Sequence, residues 1–132
     1  MMRLETTTMA HLWLHMLAKG WSPSPYEYGL LVAETIGGRV WAAVDAGGTP
    51  QVIGGVFAGR CWLSFVPGAG RHLLRLVRIM DDVRAREQRA GLTNPICVVR
   101  DDNPAGQRLA RLLGFAPTTA ATGSKRDWRI NA

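Results

Sequence analysis

A chain of 132 residues can bury a conventional hydrophobic core without staples, and its length is that of one domain over 1–132. An apolar content of 47% excludes a disordered polymer, and no apolar run approaches the roughly 18 residues that a membrane span needs. The net charge of +6 comes from 16 basic against 10 acidic residues, with only two lysines, and raises the question of an acidic or nucleic-acid partner.

Taken in order, Met2 to Thr6 predicts a short first strand. Thr7 or Thr8 can cap a helix whose apolar positions Met9, Leu12, Trp13, Met16 and Leu17 fall at helical spacing, and Gly20 ends it. Trp21-Ser-Pro-Ser-Pro is a rigid connector, from which Ser24-Pro25 starts a second helix running through Tyr28, Leu31, Val32 and Thr35-Ile36 to Gly37-Gly38. Arg39–Asp45 and Gln51–Phe57 read as strands joined by a hairpin turn, the second carrying Gly54-Gly55, where a bulge or a close backbone approach is expected. Arg60 to Val66 is a third strand, with Trp62, Ser64 and Val66 on one face. After the break Pro67-Gly-Ala-Gly, a long amphipathic helix runs to about Ala90 on Leu73, Leu76, Val77, Met80 and Val83. Its arginines, Arg71, Arg75, Arg78, Arg84, Arg86 and Arg89, are interleaved with Asp81, Asp82 and Glu87. This is the pattern of a solvated, ion-paired helix face, and nucleic-acid binding is not expected from it.

The stretch from Pro95 to Phe115 is the most sharply punctuated. Ile96–Val99 is a β-branched run that predicts a covered strand. Asp101, Asp102 and Asn103 can each cap the helix that Pro104 opens; Leu109, Leu112 and Leu113 share a face, Gly114 supplies a left-handed stop and Phe115 can pack back. Thr118–Thr122 and Arg126–Ile130 close the chain as two strands around Gly123-Ser124. Cys61 and Cys97, both in predicted strands, read as buried reduced thiols with no metal spacing. His11 and His15 lie four apart on one helix face without a third ligand in sight, so no metal site is expected. Gly68-x-Gly70 before a helix prompts a dinucleotide reading, but the third glycine and a correctly spaced acid are missing. The N-terminal segment has no signal-peptide pattern, and a cytoplasmic chain with no membrane partner is expected.

Asn103, Gly106, Leu109-Ala110 and Leu113-Gly114-Phe115 resemble the second-half motif of the GNAT N-acetyltransferase superfamily: Asn, a small residue three later, Leu-Tyr, then Leu-Gly-Phe. The run from Val40 to Gly55 is similar to the meander that GNAT proteins place before their cofactor-binding strand. The element order β-α-α-β-β-β-α-β-α-β-β is theirs over essentially the whole chain. The resemblance implies an α/β (α+β) fold, a central mixed, mostly antiparallel sheet flanked by helices. It also implies acetyl-CoA as cofactor, no metal, and a small-molecule or protein amine as acceptor.

In that family the pyrophosphate sits at the N-terminus of the long helix, where free amides and the helix dipole attract an anion. Gly68-Ala69-Gly70 and Arg71 occupy that place, and Phe65 stands where the family has Gln or Arg. A main-chain amide around Phe65-Val66 would polarise the thioester oxygen, and Asn103 joins these as a cofactor-side position. Ala110 holds the place of the family's catalytic Tyr, and Cys61–Val66 contains no carboxylate to act as base. Ser64 and Glu27 are the remaining catalytic candidates; Tyr26 and Tyr28 reach a site only through folding, His72 beside the glycine loop reads as a phosphate contact or an exposed first-turn residue, and Trp21 and Trp41 as acceptor-pocket lining or packing. These departures carry a second expectation: a catalytically inactive GNAT-fold structural or assembly protein. Small Arg-rich GNAT-like chains resemble those of tailed bacteriophages, which would place it in the host cytoplasm or virion, with assembly partners or as a homo-oligomer.

Overall fold

The computed structural model describes residues 2–57, 59–91 and 94–130. Its elements are β1 (Arg3–Thr6), α1 (Met9–Lys19), α2 (Pro25–Ile36), β2 (Val40–Val44), β3 (Pro50–Phe57), β4 (Arg60–Phe65), a short 3-10 turn (Ala69–His72), α3 (Leu73–Arg89), β5 (Ile96–Arg100), α4 (Pro104–Leu112), β6 (Phe115–Thr122) and β7 (Lys125–Ile130). The strands form a seven-stranded sheet in the order β1-β2-β3-β4-β5-β7-β6, parallel between β4 and β5 and antiparallel between β1 and β2, β2 and β3, β5 and β7, and β6 and β7. This is the expected α/β class and element order. No helix among the described residues is long and apolar enough to cross a membrane.

The chain groups into two compact units, Met1–Val56 with Leu63–Arg75, and Phe57–Trp62 with Leu76–Ala132. In the first, β2 is buried along nearly its whole length through Val40, Ala42, Ala43 and Val44, so it reads as an unbroken apolar run rather than an alternation. Val52 and Ile53 of β3 and Leu12 of α1 complete this core. Thr8 caps α1 by accepting from the His11 amide, while the His11 ring accepts from the Thr8 amide, a reciprocal box. Gly20 closes α1 in the left-handed conformation (φ 68°), and Ser24 and Pro25 open α2.

Two expectations fail in this unit. The buried stripe of α1 is Leu12 and His15, while Trp13 and Leu17 are 57% and 81% exposed. Adjacent stripes of an amphipathic helix compete for the core, and a polar side chain with every bonding group matched can win a buried place. Of the two readings for Gly54-Gly55, the bulge is not found there; the irregularity lies at the hairpin end. There Ala43 faces Val52 and Val44 faces Pro50, leaving Gln51 unopposed, whereas Gly54 and Gly55 sit in ordinary register opposite Trp41 and Val40. Pro50 has no N–H to continue the ladder, which accounts for the bulge beside it.

In the second unit β7 pairs with β5 from Ile96↔Arg129 to Arg100↔Lys125 and with β6 on its other side. Strand β5 is less covered than its sequence predicts: Val98 is 41% exposed and Ile96, Cys97 and Val99 are half-buried. A β-branched run reports extended backbone, not the cover over it. Leu76, Met80 and Val83 line the buried side of α3, with Arg75, Arg78, Arg86 and Arg89 exposed as expected. Arg84 donates to the Leu113 carbonyl, placing a cation at the C-terminal end of α4.

Helix α4 buries Leu109, Ala110 and Leu113, not Leu112, which is 51% exposed; Phe115 is buried after the left-handed Gly114 (φ 89°). Of the three candidate caps, Asn103 takes the role, its Oδ1 accepting from the Gly106 amide at 3.0 Å. Asp101 pairs with Arg126 and Asp102 with Arg100. The cap explains the small residue three positions on. A Cβ on Gly106 would stand 2.5 Å from Asn103 Nδ2 and 3.3 Å from Val99 Cγ1. N103A, which removes the cap's acceptor, should cost about 1 kcal/mol, lowering the melting temperature by something on the order of 4 °C. An unchanged melting curve would show that α4 does not depend on this cap.

Candidate functional site

The glycine loop follows from local chemistry. Pro67 and Gly68 are the central residues of a turn closed by the Ala69 amide donating to the Val66 carbonyl at 3.2 Å. Proline fixes the first dihedral and the second needs positive φ, which Gly68 supplies at 83°. The Arg71 amide then donates back to the Gly68 carbonyl at 3.3 Å, so the chain enters α3 through a tight 3-10 turn rather than directly as α-helix. Ala69 is buried and anchors the turn, while Gly68, Gly70 and Arg71 are exposed. A Cβ at either glycine would meet nothing within 4 Å, so the loop's backbone is open to a ligand. The Arg71 Nε donates to His72 Nε2 at 3.2 Å, which brings those two side chains together beside the loop. The Val66 amide donates to the Gln51 carbonyl at 3.0 Å. That removes Val66 as a donor toward a thioester. Successive strand amides point to opposite edges, so Phe65 is the residue of the pair whose N–H is directed the other way.

The same unit holds a buried polar chain. His15 is fully buried; its Nδ1 lies 2.8 Å from the Pro50 carbonyl and its Nε2 2.9 Å from Ser64 Oγ. A carbonyl only accepts, so Nδ1 carries the proton and Nε2 of the neutral ring is an acceptor. Ser64 must then donate its hydroxyl hydrogen to Nε2, and its lone pair is free to accept from Lys19 Nζ at 2.8 Å. One direction of donation thus runs from Lys19 through Ser64 and His15 to Pro50. The bulge at Gln51 places the Pro50 carbonyl at an interruption of the β2–β3 ladder. Burial is the main force lowering the His15 pKa; the Pro50 bond opposes it and the Lys19 charge adds to it. Desolvation likewise lowers the Lys19 pKa, and the ammonium lies 5.3 Å from the centre of the Trp21 ring.

The other expected residues have different partners. Glu27 is exposed, and its carboxylate accepts from Ser24 Oγ at the start of α2. Tyr28 accepts from Trp13 Nε1, Tyr26 is exposed, and Trp41 pairs with Thr6 and Gly54 in the sheet. Asn103 belongs to the second unit, where it caps α4; buried Ala110 brings no polar atom to the place of the family's tyrosine. His11 Nε2 lies 3.6 Å from Glu5, so the two imidazoles of α1 have separate partners. Among the described residues no group of His, Cys, Asp or Glu side chains is arranged to hold a metal. Cys61 and Cys97 face each other in the β4–β5 register as free, half-buried thiols, their pKa values pushed up to about 11 and about 12 mainly by burial. Sequence reasoning weighed His15 only as a metal ligand, and it missed Lys19 altogether. Their signal was a polar pair at i and i+4 continuing the stripe from Leu12, opposite a lone serine in an apolar strand.

The neutral buried imidazole makes stability depend on pH with a fixed sign. Its folded pKa lies below the ordinary 6.5, so the unfolded chain takes up the proton first. Stability should be complete above pH 6.5 and fall below it by up to about 1.4 kcal/mol per pH unit. The depressed carboxylates Asp45 and Asp101 act at and below 3.8, outside this window. The melting temperature should drop between roughly pH 6.5 and pH 5.5 in the native chain and stay level in H15Q; parallel slopes would exclude His15 as the source.

No protein-family model matches the sequence. No curated protein matches it either. Solved structures do match in fold. An acetyltransferase of the GNAT family from Staphylococcus aureus superposes with TM-score 0.70 at 12% identity, covering 99% of this chain and 100% of that one. The PaiA N-acetyltransferase from Thermoplasma acidophilum, solved in complex with coenzyme A, gives 0.63 at 14% identity over 100% and 99%. A protein assigned to the GnaT-family acetyltransferases from Bordetella pertussis gives 0.69 at 16% identity over 99% and 95%. The element order and these superpositions agree, and the chain has the fold of the GNAT acetyltransferases.

Proposed function

We propose that the protein is an N-acyltransferase that moves an acetyl group from acetyl-CoA to an amine. The observation that carries this reading is the open Gly68–Arg71 turn on the same strand-to-helix segment as Ser64, whose hydroxyl is already hydrogen-bonded to a neutral imidazole. The fold, and the coenzyme A bound by a neighbour of the same fold, support the choice of cofactor. Acetyl-CoA would supply the activated acyl group and a thiolate leaving group. Exposed backbone at Gly68 and Gly70, with the Arg71 guanidinium beside it, suits a pyrophosphate. Phe65 at the lead position adds no polar contact there, so the backbone and Arg71 have to do the holding.

The chain's own residues then have assignable roles. The Phe65 amide is the candidate donor to the carbonyl oxygen on which charge develops, and Ser64 with His15 is a proton path for the attacking amine. Ala110 supplies no acid, so the departing thiolate takes its proton from the amine or from water. The reading that stands against this one, a GNAT-fold structural or assembly component without turnover, rests on the same Phe65 and Ala110.

Melting curves with coenzyme A separate the two. Ligand at about a thousand times its Kd should stabilise by roughly 4 kcal/mol, a shift on the order of ten degrees for a chain of this size. Gly70 has open space around it, so G70D should fold normally yet lose most of the shift by setting a carboxylate against the pyrophosphate. No shift with up to about 1 mM cofactor would sink the transferase reading and favour the structural one.

A further inference from the structure

We infer that Lys19 is a modification site of the protein: an amine held on the Ser64–His15 proton path and acylated there by an acyl thioester. The inference rests on the acyltransferase reading for its acyl donor. What singles out Lys19 is the set of groups around its nitrogen. Among the described residues no carboxylate lies within ion-pair distance of it. Its hydrogen-bond partner is instead Ser64 Oγ at 2.8 Å, and Ser64 is committed as a donor to His15 Nε2 at 2.9 Å. Lys19 is an exposed residue at the end of α1 whose nitrogen reaches the buried Ser64 hydroxyl, which connects the amine to a base. An ordinary surface lysine is a solvated cation without that connection. Burial also favours the neutral, nucleophilic form of this amine.

The chemistry closes on these groups and the thioester. The ammonium gives a proton to Ser64 as Ser64 gives its own to His15, leaving a neutral amine beside a transient imidazolium; the buried ring has no solvent route of its own, so this proton returns through the Ser64 hydroxyl and leaves at the exposed Lys19 side once the amide has formed. The amine nitrogen attacks the thioester carbon; the N–C bond forms, the C–S bond breaks, and the thiolate takes the second proton. The products are an amide at Lys19, free coenzyme A thiol and one proton. The amide has lost the positive charge and keeps a single N–H to donate to Ser64.

The sequence contains an internal control, since Lys125 is the only other lysine and is exposed. The native chain and S64A are incubated with acetyl-CoA, and acetylation of Lys19 and Lys125 is followed by peptide mass spectrometry, with coenzyme A binding read from melting curves of the same samples. Lys19 should acetylate about ten-fold or more faster than Lys125 in the native chain, and S64A should remove that preference. Coenzyme A binding with equal rates at the two lysines, or a preference that survives S64A, overturns the inference and leaves the transferase reading in place. Absence of coenzyme A binding overturns the transferase reading and this inference with it. Should S64A fail to fold, the native chain alone decides by labelling with N-hydroxysuccinimidyl acetate across pH. A Lys19 labelling midpoint below that of Lys125 supports the inference, and coincident midpoints overturn it.

Discussion

The fully buried imidazole of His15 is the constraint around which the first unit is arranged. A ring in that position is tolerated only when both nitrogens are matched, since an unpaired polar atom in the core costs as much as several good contacts return. Pro50 and Ser64 provide the match from β3 and β4. Each partner depends on a local irregularity or exception: a proline that interrupts a ladder, and a serine in a strand otherwise rich in large apolar side chains. Helix α1 is therefore located on the sheet by two directional bonds as well as by Leu12. This specifies its rotation about its own axis more tightly than an apolar stripe alone would do.

Much of the architecture was readable because its causes are local. Thr8, Ser24 and Asn103 announce helix starts within three residues of the amides they cap, and Gly20 and Gly114 announce stops through a dihedral that other residues resist. The element order followed from such punctuation. Which face of a helix is covered did not follow, because Trp13, Leu17 and Leu112 satisfy the periodicity as well as the residues that are buried. The relay was illegible for a different reason. Its members are separated by 35 to 49 positions in the chain, and no periodicity links a helix residue to a hairpin carbonyl and a strand hydroxyl at that range. Only the placement of Ser64 among the candidate catalytic residues anticipated it.

The most recognisable motif has an architectural role. The Asn103-x-x-Gly106 spacing is a cap folded over the backbone it satisfies, and Leu113-Gly114-Phe115 is a helix stop whose flanking residues are buried. Physical necessity of this kind persists in any protein that keeps the fold, with or without turnover. In the function and modification proposed above, the chemistry falls instead to Lys19, the exposed glycine backbone and Arg71.

The two cysteines bear on how such chemistry can be watched. Facing each other across the β4–β5 register and pushed toward high pKa, Cys61 and Cys97 hold their sulfurs almost wholly protonated near neutral pH. A protonated thiol is a poor nucleophile toward disulfide dyes and alkylating reagents. Both thiols should therefore react slowly in a colorimetric thiol assay, and coenzyme A released in the protein's presence should be countable against a low background.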